Sequence, residues 1–411
     1  MMRASVLVTV LVALVLMLSA GPAQATIYFR SASTAQTGSG ATSVTVNLPT
    51  GTVAGDVMIA TVDAEGSAAF TAPSGWSSTG LFAGASFFGY SAVYFKVATA
   101  SEPSSYTWTL GTSRKATAKI ASYVGVSGTP IETSATNGAG SGTSASTTSV
   151  TTTAANSMVV LAVSADAAAS FTITAPAGTS NRATTYTSGT GTVVGSQLAD
   201  FVQAVAGATG TKTFTLSTSA PWGTIAAALK PGTGALAFSV SPKTPTLPTV
   251  ALNGTAQTTN ATMNNFGVDD TTGSGAGWNV TVAGDTSAGK SPVFMRYCPN
   301  PTCGTDSGPG YIAGGASLPA GSLKLNSTGA SWTTNGGSGT SPAFQCSTGC
   351  SVDAGSATKI VSAASAGGLG PWSTSGFGAT SLALNTPTTT RILPSGEIYH
   401  VDLVWTLNSG P

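Results

Sequence analysis

The chain has 411 residues, with 15 Lys and Arg, 14 Asp and Glu and a single His, so its formal net charge is +1. Charged residues make up only 7% of it, against about 25% in ordinary soluble domains. Nucleic-acid binding needs clustered Lys and Arg to neutralise phosphates, and none cluster here. Disorder needs low hydrophobicity, which an apolar content of 41% excludes.

Met1–Ala25 reads as a secretory signal peptide. Arg3 supplies the positive start, Val6–Leu18 is an almost unbroken apolar run, and Ala23-Gln24-Ala25 fits the small-x-small cleavage rule. The run is shorter than the ~20 residues a spanning helix needs, so cleavage after Ala25 is expected, and no membrane contact afterwards. No Cys follows the cleavage site to carry a lipid, and Leu393-Pro394-Ser395-Gly396-Glu397 has neither the order nor the tail of a sortase motif. Attachment to a cell is therefore expected to be non-covalent.

The remainder predicts an all-β protein with negligible helix. Ser43–Leu48 and Tyr106–Leu110 alternate apolar and polar residues with period two, and Gly, Ser, Asn and Pro separate the short apolar runs. The first domain is expected over residues 26–231 and contains an internal repeat. Met58–Val62 matches Val159–Val163, and Phe70-Thr71 matches Phe171-Thr172 at the same offset. Tyr106–Leu110 resembles Lys212–Leu216, and Ala118–Tyr123 pairs loosely with Gly223–Ala228. The spacing fits one jelly-roll-like β-sandwich of about 200 residues with pseudo-symmetric halves; two domains of about 100 residues are the other reading. Gly138–Thr153, between the halves, is rich in Ser, Thr and Gly and is expected not to pack. Trp76, Trp108 and Trp222 are candidate sugar-stacking faces in this domain, or else core residues.

Residues 232–250 are expected to be a Pro-rich linker, with Ser241–Pro248 extended. The second β-sandwich follows over 251–411. Here Phe266–Asp270 leads through a Gly-rich turn into Gly277-Trp278-Asn279-Val280, and the chain closes on Tyr399–Asp402 and Trp405-Thr406-Leu407. This resembles the WxL domain of Gram-positive surface proteins over roughly residues 236–411. The distal Trp405-Thr406-Leu407 fits the pattern. Trp278-Asn279-Val280 departs from it, with Val in place of Leu, and the Cys-containing inserts lie outside it. The resemblance implies non-covalent binding to peptidoglycan or another cell-wall glycan, at the surface of a Gram-positive cell. Trp278, Trp405 and Tyr399 become ligand-binding candidates; in alternating strands the Trp rings are either core or sugar-stacking residues.

All four Cys lie in this region: Cys298, Cys303, Cys346 and Cys350. An even count in an exported protein argues for disulfides. Local pairs Cys298–Cys303 and Cys346–Cys350 are favoured by the intervening Pro and Gly; a four-Cys zinc site is the rival. Asp269 and Asp270 are weak calcium candidates, and an Asx-type turn explains them more simply. His400 alone could serve a hydrolytic triad. Asp56, Asp63, Glu65 and Glu102 are read as solvent-facing residues of strand ends and turns, and no acidic cluster emerges.

The function expected is a secreted, wall-associated surface protein, not an enzyme and without cofactor. Its C-terminal domain would hold the wall, and its N-terminal sandwich would act in adhesion, meeting a glycan, a host protein or a neighbouring surface protein. A polysaccharide-active enzyme with an ancillary binding domain is one alternative. It would need a carboxylate pair in one cleft. A structural subunit of a surface layer or filament is another.

Overall fold

The computed structural model describes residues 24–66, 69–83 and 89–411. Among them all regular elements are strands, and no helix occurs. The expected signal segment lies outside the described residues except for Gln24 and Ala25, which pair with Thr233 and Gly232.

In the first half, Val57–Ala64 and Ala116–Val124 lie at the centre of a five-stranded antiparallel sheet. Tyr28–Gln36 flanks them on one side; Tyr90–Val97 and Ser77–Ala83 follow on the other. Successive side chains of a strand point to opposite faces. Met58, Ala60 and Val62 pack against Val44, Val46 and Trp108 of a three-stranded sheet and form one core. Val57 and Ile59, on the opposite face, meet Met158, Val160 and Ala162 of the second half. That half repeats the plan. Ser157–Ala167 lies between Val193–Gln203 and Thr213–Pro231, and sends Val159, Leu161 and Val163 into a core with Phe214 and Trp222. The two halves thus meet through the same face of corresponding strands. Both strands are covered on both faces, which is why they read as continuous apolar runs rather than as alternation.

The segment expected not to pack is largely a strand. Val126–Ser146 runs antiparallel to Thr213–Pro231, and Ala145, Thr147, Val150 and Thr152 are buried. Its small residues allow close approach: a Cβ on Gly140 would lie 2.2 Å from the Trp222 ring. Backbone ladders need no apolar side chains, so even a Gly/Ser-rich stretch can pair along this strand, here with several register shifts.

Residues from Leu236 onward form three four-stranded antiparallel sheets around a separate core. In one, Trp278–Gly284 lies between Thr358–Ala363 and Leu403–Ser409. Phe266, Trp278, Val280 and Val282 are fully buried there. Gly277 has φ +76°, and a Cβ on it would fall 2.4 Å from the Ala363 carbonyl oxygen, so only Gly admits the turn that delivers Trp278. Residues 232–250, expected as a linker, include the strand Leu236–Val240, which pairs with Gly267–Asp270.

Two acidic residues read as solvent-facing are buried instead. Asp56 is 1% and Asp63 3% exposed, because each meets a buried cation: Arg30 for Asp56, Lys119 for Asp63. Arg30 also grips Asp269, so three charged side chains cluster where the N-terminal strands meet the C-terminal sheets. Burial lifts the Asp56 carboxyl above its usual range, and Arg30 opposes that shift. Glu102 is tied to Lys96 and the Tyr106 hydroxyl.

Candidate functional site

The strand Met295–Cys298 pairs on one edge with Gly310–Tyr311 and on the other with Ile398–His400. This brings together three rings from distant parts of the chain. Ring centroids are 5.1 Å apart for Tyr297–Tyr311, 4.5 Å for Tyr297–His400 and 5.7 Å for Tyr311–His400. All three are half-buried. The adjoining loop is closed by Cys298–Cys303, and Cys346–Cys350 closes a second loop elsewhere, with Cα–Cα distances of 5.7 and 5.2 Å. These are the two local pairings expected.

Asp402 organises the polar side of the ring group. It accepts from Lys290 Nζ at 2.7 Å and from the Tyr311 hydroxyl at 3.2 Å, and its Oδ1 lies 3.1 Å from His400 Nε2. Burial pulls its carboxyl upward, but the hydrogen bonds from Lys290 and His400 outweigh this and hold it below the usual carboxylate range. Burial, and then the Asp402 charge, push the Tyr311 phenol up, so it remains a protonated donor. Beside them Arg296 binds both Asp306 and Glu397. Its hydrogen bond holds Glu397 below the normal range.

A cavity of about 770 Å³ adjoins this group. Residues 244–250 of the Pro-rich segment line one side of it, and residues 390–393 and 397–401 another. Phe294, Leu318, Leu323 and Leu384 give it an apolar lining shared with the core. Tyr399 and His400 reach it, and the Tyr399 hydroxyl donates to the Arg391 carbonyl at 2.9 Å. Ile392 is 83% exposed beside it. An apolar concavity with a few placed polar groups is the usual form of a small-ligand site. The arrangement can stack rings against an apolar ligand face and hydrogen-bond ligand hydroxyls, which is recognition chemistry.

The residues singled out from the sequence divide accordingly. Tyr399 lines the cavity. Trp405 is half-buried on the outer strand, packed against the core and level with Val282 of the strand that carries Trp278. Trp278 is fully buried, donates from Nε1 to the Gly368 carbonyl at 2.9 Å, and has no free ring face. Trp76, Trp108 and Trp222 are likewise core residues, with Trp76 edge-on to both Tyr106 and Trp108. Asp269 is committed to Arg30, and Asp270 accepts from the Thr272 N–H and hydroxyl in an Asx turn. No cluster of three His, Cys, Asp or Glu that could hold a metal occurs among the described residues. Tyr297, Tyr311, Lys290 and Asp402 carry no motif; the one signal available was the aromatic, alternating stretch Tyr399–Trp405, which marks the strand they assemble against.

No curated protein and no solved structure matches the chain. Residues 235–411 match the model of a family described as WxL domain, surface cell wall-binding. A wall-binding rather than catalytic domain accords with an aromatic cleft of fixed ion pairs, and it places the protein outside the cell, at a Gram-positive cell wall. Over residues 235–411, the C-terminal region, the chain is thus similar to the WxL domain family.

Proposed function

We propose that this is a secreted surface protein whose WxL domain binds peptidoglycan, or another wall glycan, in the cleft between residues 244–250 and Arg391–Leu403, while residues 26–231 face outward as an adhesion module. The observation that carries the reading is the ring group Tyr297, Tyr311 and His400 beside an apolar cavity, in the region that matches a wall-binding family. Sugar rings present apolar C–H faces and a rim of hydroxyls, which such rings and the Asp402–Lys290 pair complement. The Trp residues of the N-terminal half are core, so an adhesive surface there would use other groups.

The mature protein should sediment with purified Gram-positive cell walls. The double substitution Tyr311→Ala and Tyr399→Ala should weaken this by about tenfold or more, since truncating central aromatic contacts costs roughly 1–2 kcal/mol or more. Unchanged sedimentation, with the fold intact by circular dichroism, would move the wall contact elsewhere. A mature protein that does not sediment at all would remove the reading.

A further inference from the structure

We propose that Lys119 and Asp63 become joined by an intramolecular amide bond, formed after folding between Lys119 Nζ and Asp63 Cγ with loss of one water. The two residues lie on adjacent antiparallel strands, in the layer where the two N-terminal halves meet, with Lys119 opposite Thr61 and Asp63 opposite Thr117. Lys119 Nζ is 3.2 Å from Asp63 Oδ2. Lys119 is 0% and Asp63 3% exposed. Burial lowers the affinity of the Lys119 amine for its proton.

Three hydroxyls complete a closed circuit around the pair. Ser91 Oγ donates to Asp63 Oδ1 at 2.6 Å. Lys119 Nζ is in contact with Ser196 Oγ, Ser196 Oγ is 2.6 Å from Thr117 Oγ1, and Thr117 Oγ1 donates to Asp63 Oδ2 at 3.3 Å. A buried ammonium–carboxylate pair is poorly compensated for the water it loses. Moving one proton from the ammonium to Oδ2 gives a neutral amine and a neutral acid. The nitrogen lone pair then attacks Cγ, and Oδ1 takes the developing charge under the Ser91 hydroxyl. One amine proton passes through Ser196 and Thr117 to Oδ2. The Cγ–Oδ2 bond breaks and water leaves, while Oδ1 re-forms the carbonyl. The product is a secondary amide; nothing is oxidised or reduced, and no co-reactant is consumed. Holding the two groups in contact supplies the high effective concentration that amide formation in water lacks. Ser196 comes from the second half of the domain, so the circuit closes only once the halves have packed.

The test is the intact mass of the purified full chain after reduction of its disulfides, followed by peptide mapping. The expected result is a deficit of one water, with a branched peptide linking Lys119 to Asp63. It should vanish in Lys119→Arg and in Asp63→Ala. In Ser196→Ala, folded by circular dichroism, the deficit should develop more slowly. A reduced mass equal to the linear chain overturns the proposal, as does a water deficit that mapping assigns to any other residue pair or to a single residue. Because the reading is made on the unmutated protein, misfolding of a variant cannot obscure it.

Discussion

Arg30 and Asp269 stand 239 positions apart in the chain, yet Arg30 Nη2 donates to Asp269 Oδ2 at 2.6 Å. The same guanidinium binds Asp56 with Nε at 2.6 Å, and Ser122 Oγ donates to Asp56 at 3.2 Å. Burial works against the Arg30 charge, and the two carboxylates more than restore it, so it stays charged throughout the accessible pH range. This group, with backbone bonds such as Thr26 N–H to the Thr271 carbonyl, ties the first strand to the WxL domain.

Substituting Arg30→Ala should therefore destabilise the protein by about 3–5 kcal/mol, because it leaves two carboxylates without their cation in a buried site. Denaturant unfolding checks the value. A loss under about 1 kcal/mol would mean that water replaces the guanidinium, as it does at surface pairs.

Asp166 lies partly buried, with Oδ1 unpartnered, and burial first, then Glu65, push its carboxyl up to about 7. The unfolded chain ionises this group near pH 4. Between that pH and 7 the unfolded state has lost the proton while the folded state keeps it, so stability falls as pH rises through this window and levels off above it. Asp166→Asn should raise the melting temperature at pH 8 and leave it nearly unchanged at pH 4. Equal effects at both pH values would show that the carboxyl is not perturbed.

At the turn before Trp278, Gly277→Ala should cost at least about 2 kcal/mol, combining a left-handed backbone with a backbone clash. Its urea midpoint should fall clearly below that of Gly254→Ala. Gly254 also has positive φ, but a Cβ there meets no atom within 4 Å. Similar midpoints would refute the steric argument.

Each disulfide closes a loop of only four or five positions, so each should add only about 2 kcal/mol through the unfolded chain. The double substitution Cys346→Ser and Cys350→Ser should lower stability by that amount and leave wall sedimentation intact. Removing Cys298–Cys303, which borders the ring group, should also weaken sedimentation.

The alternation of Tyr106–Leu110 and the matched runs Met58–Val62 and Val159–Val163 were legible as strands, because side-chain direction in a strand depends on local spacing alone. Gly277-Trp278 and Trp405-Thr406-Leu407 were legible as a family motif, and pairing sets them on neighbouring strands. Cysteine spacing likewise pointed to the two short loops. Which Trp rings are buried was not legible. An aromatic in an alternating strand reads the same whether its face meets another sheet or solvent, and only packing chose the core for Trp76, Trp108, Trp222 and Trp278. The burial of Asp56 and Asp63 was hidden for the same reason, since a charge is admitted to the interior by a partner, and Arg30 and Lys119 lie 26 and 56 positions away. The ring group is the clearest case. Tyr297, Tyr311 and His400 meet because one short strand pairs on both edges, and hydrogen-bonded ladders join segments whose separation along the chain carries no trace of the contact. Local sequence thus determined the strands, the repeat and the wall-binding family, while long-range pairing decided which side chains face one another and where the cleft opens.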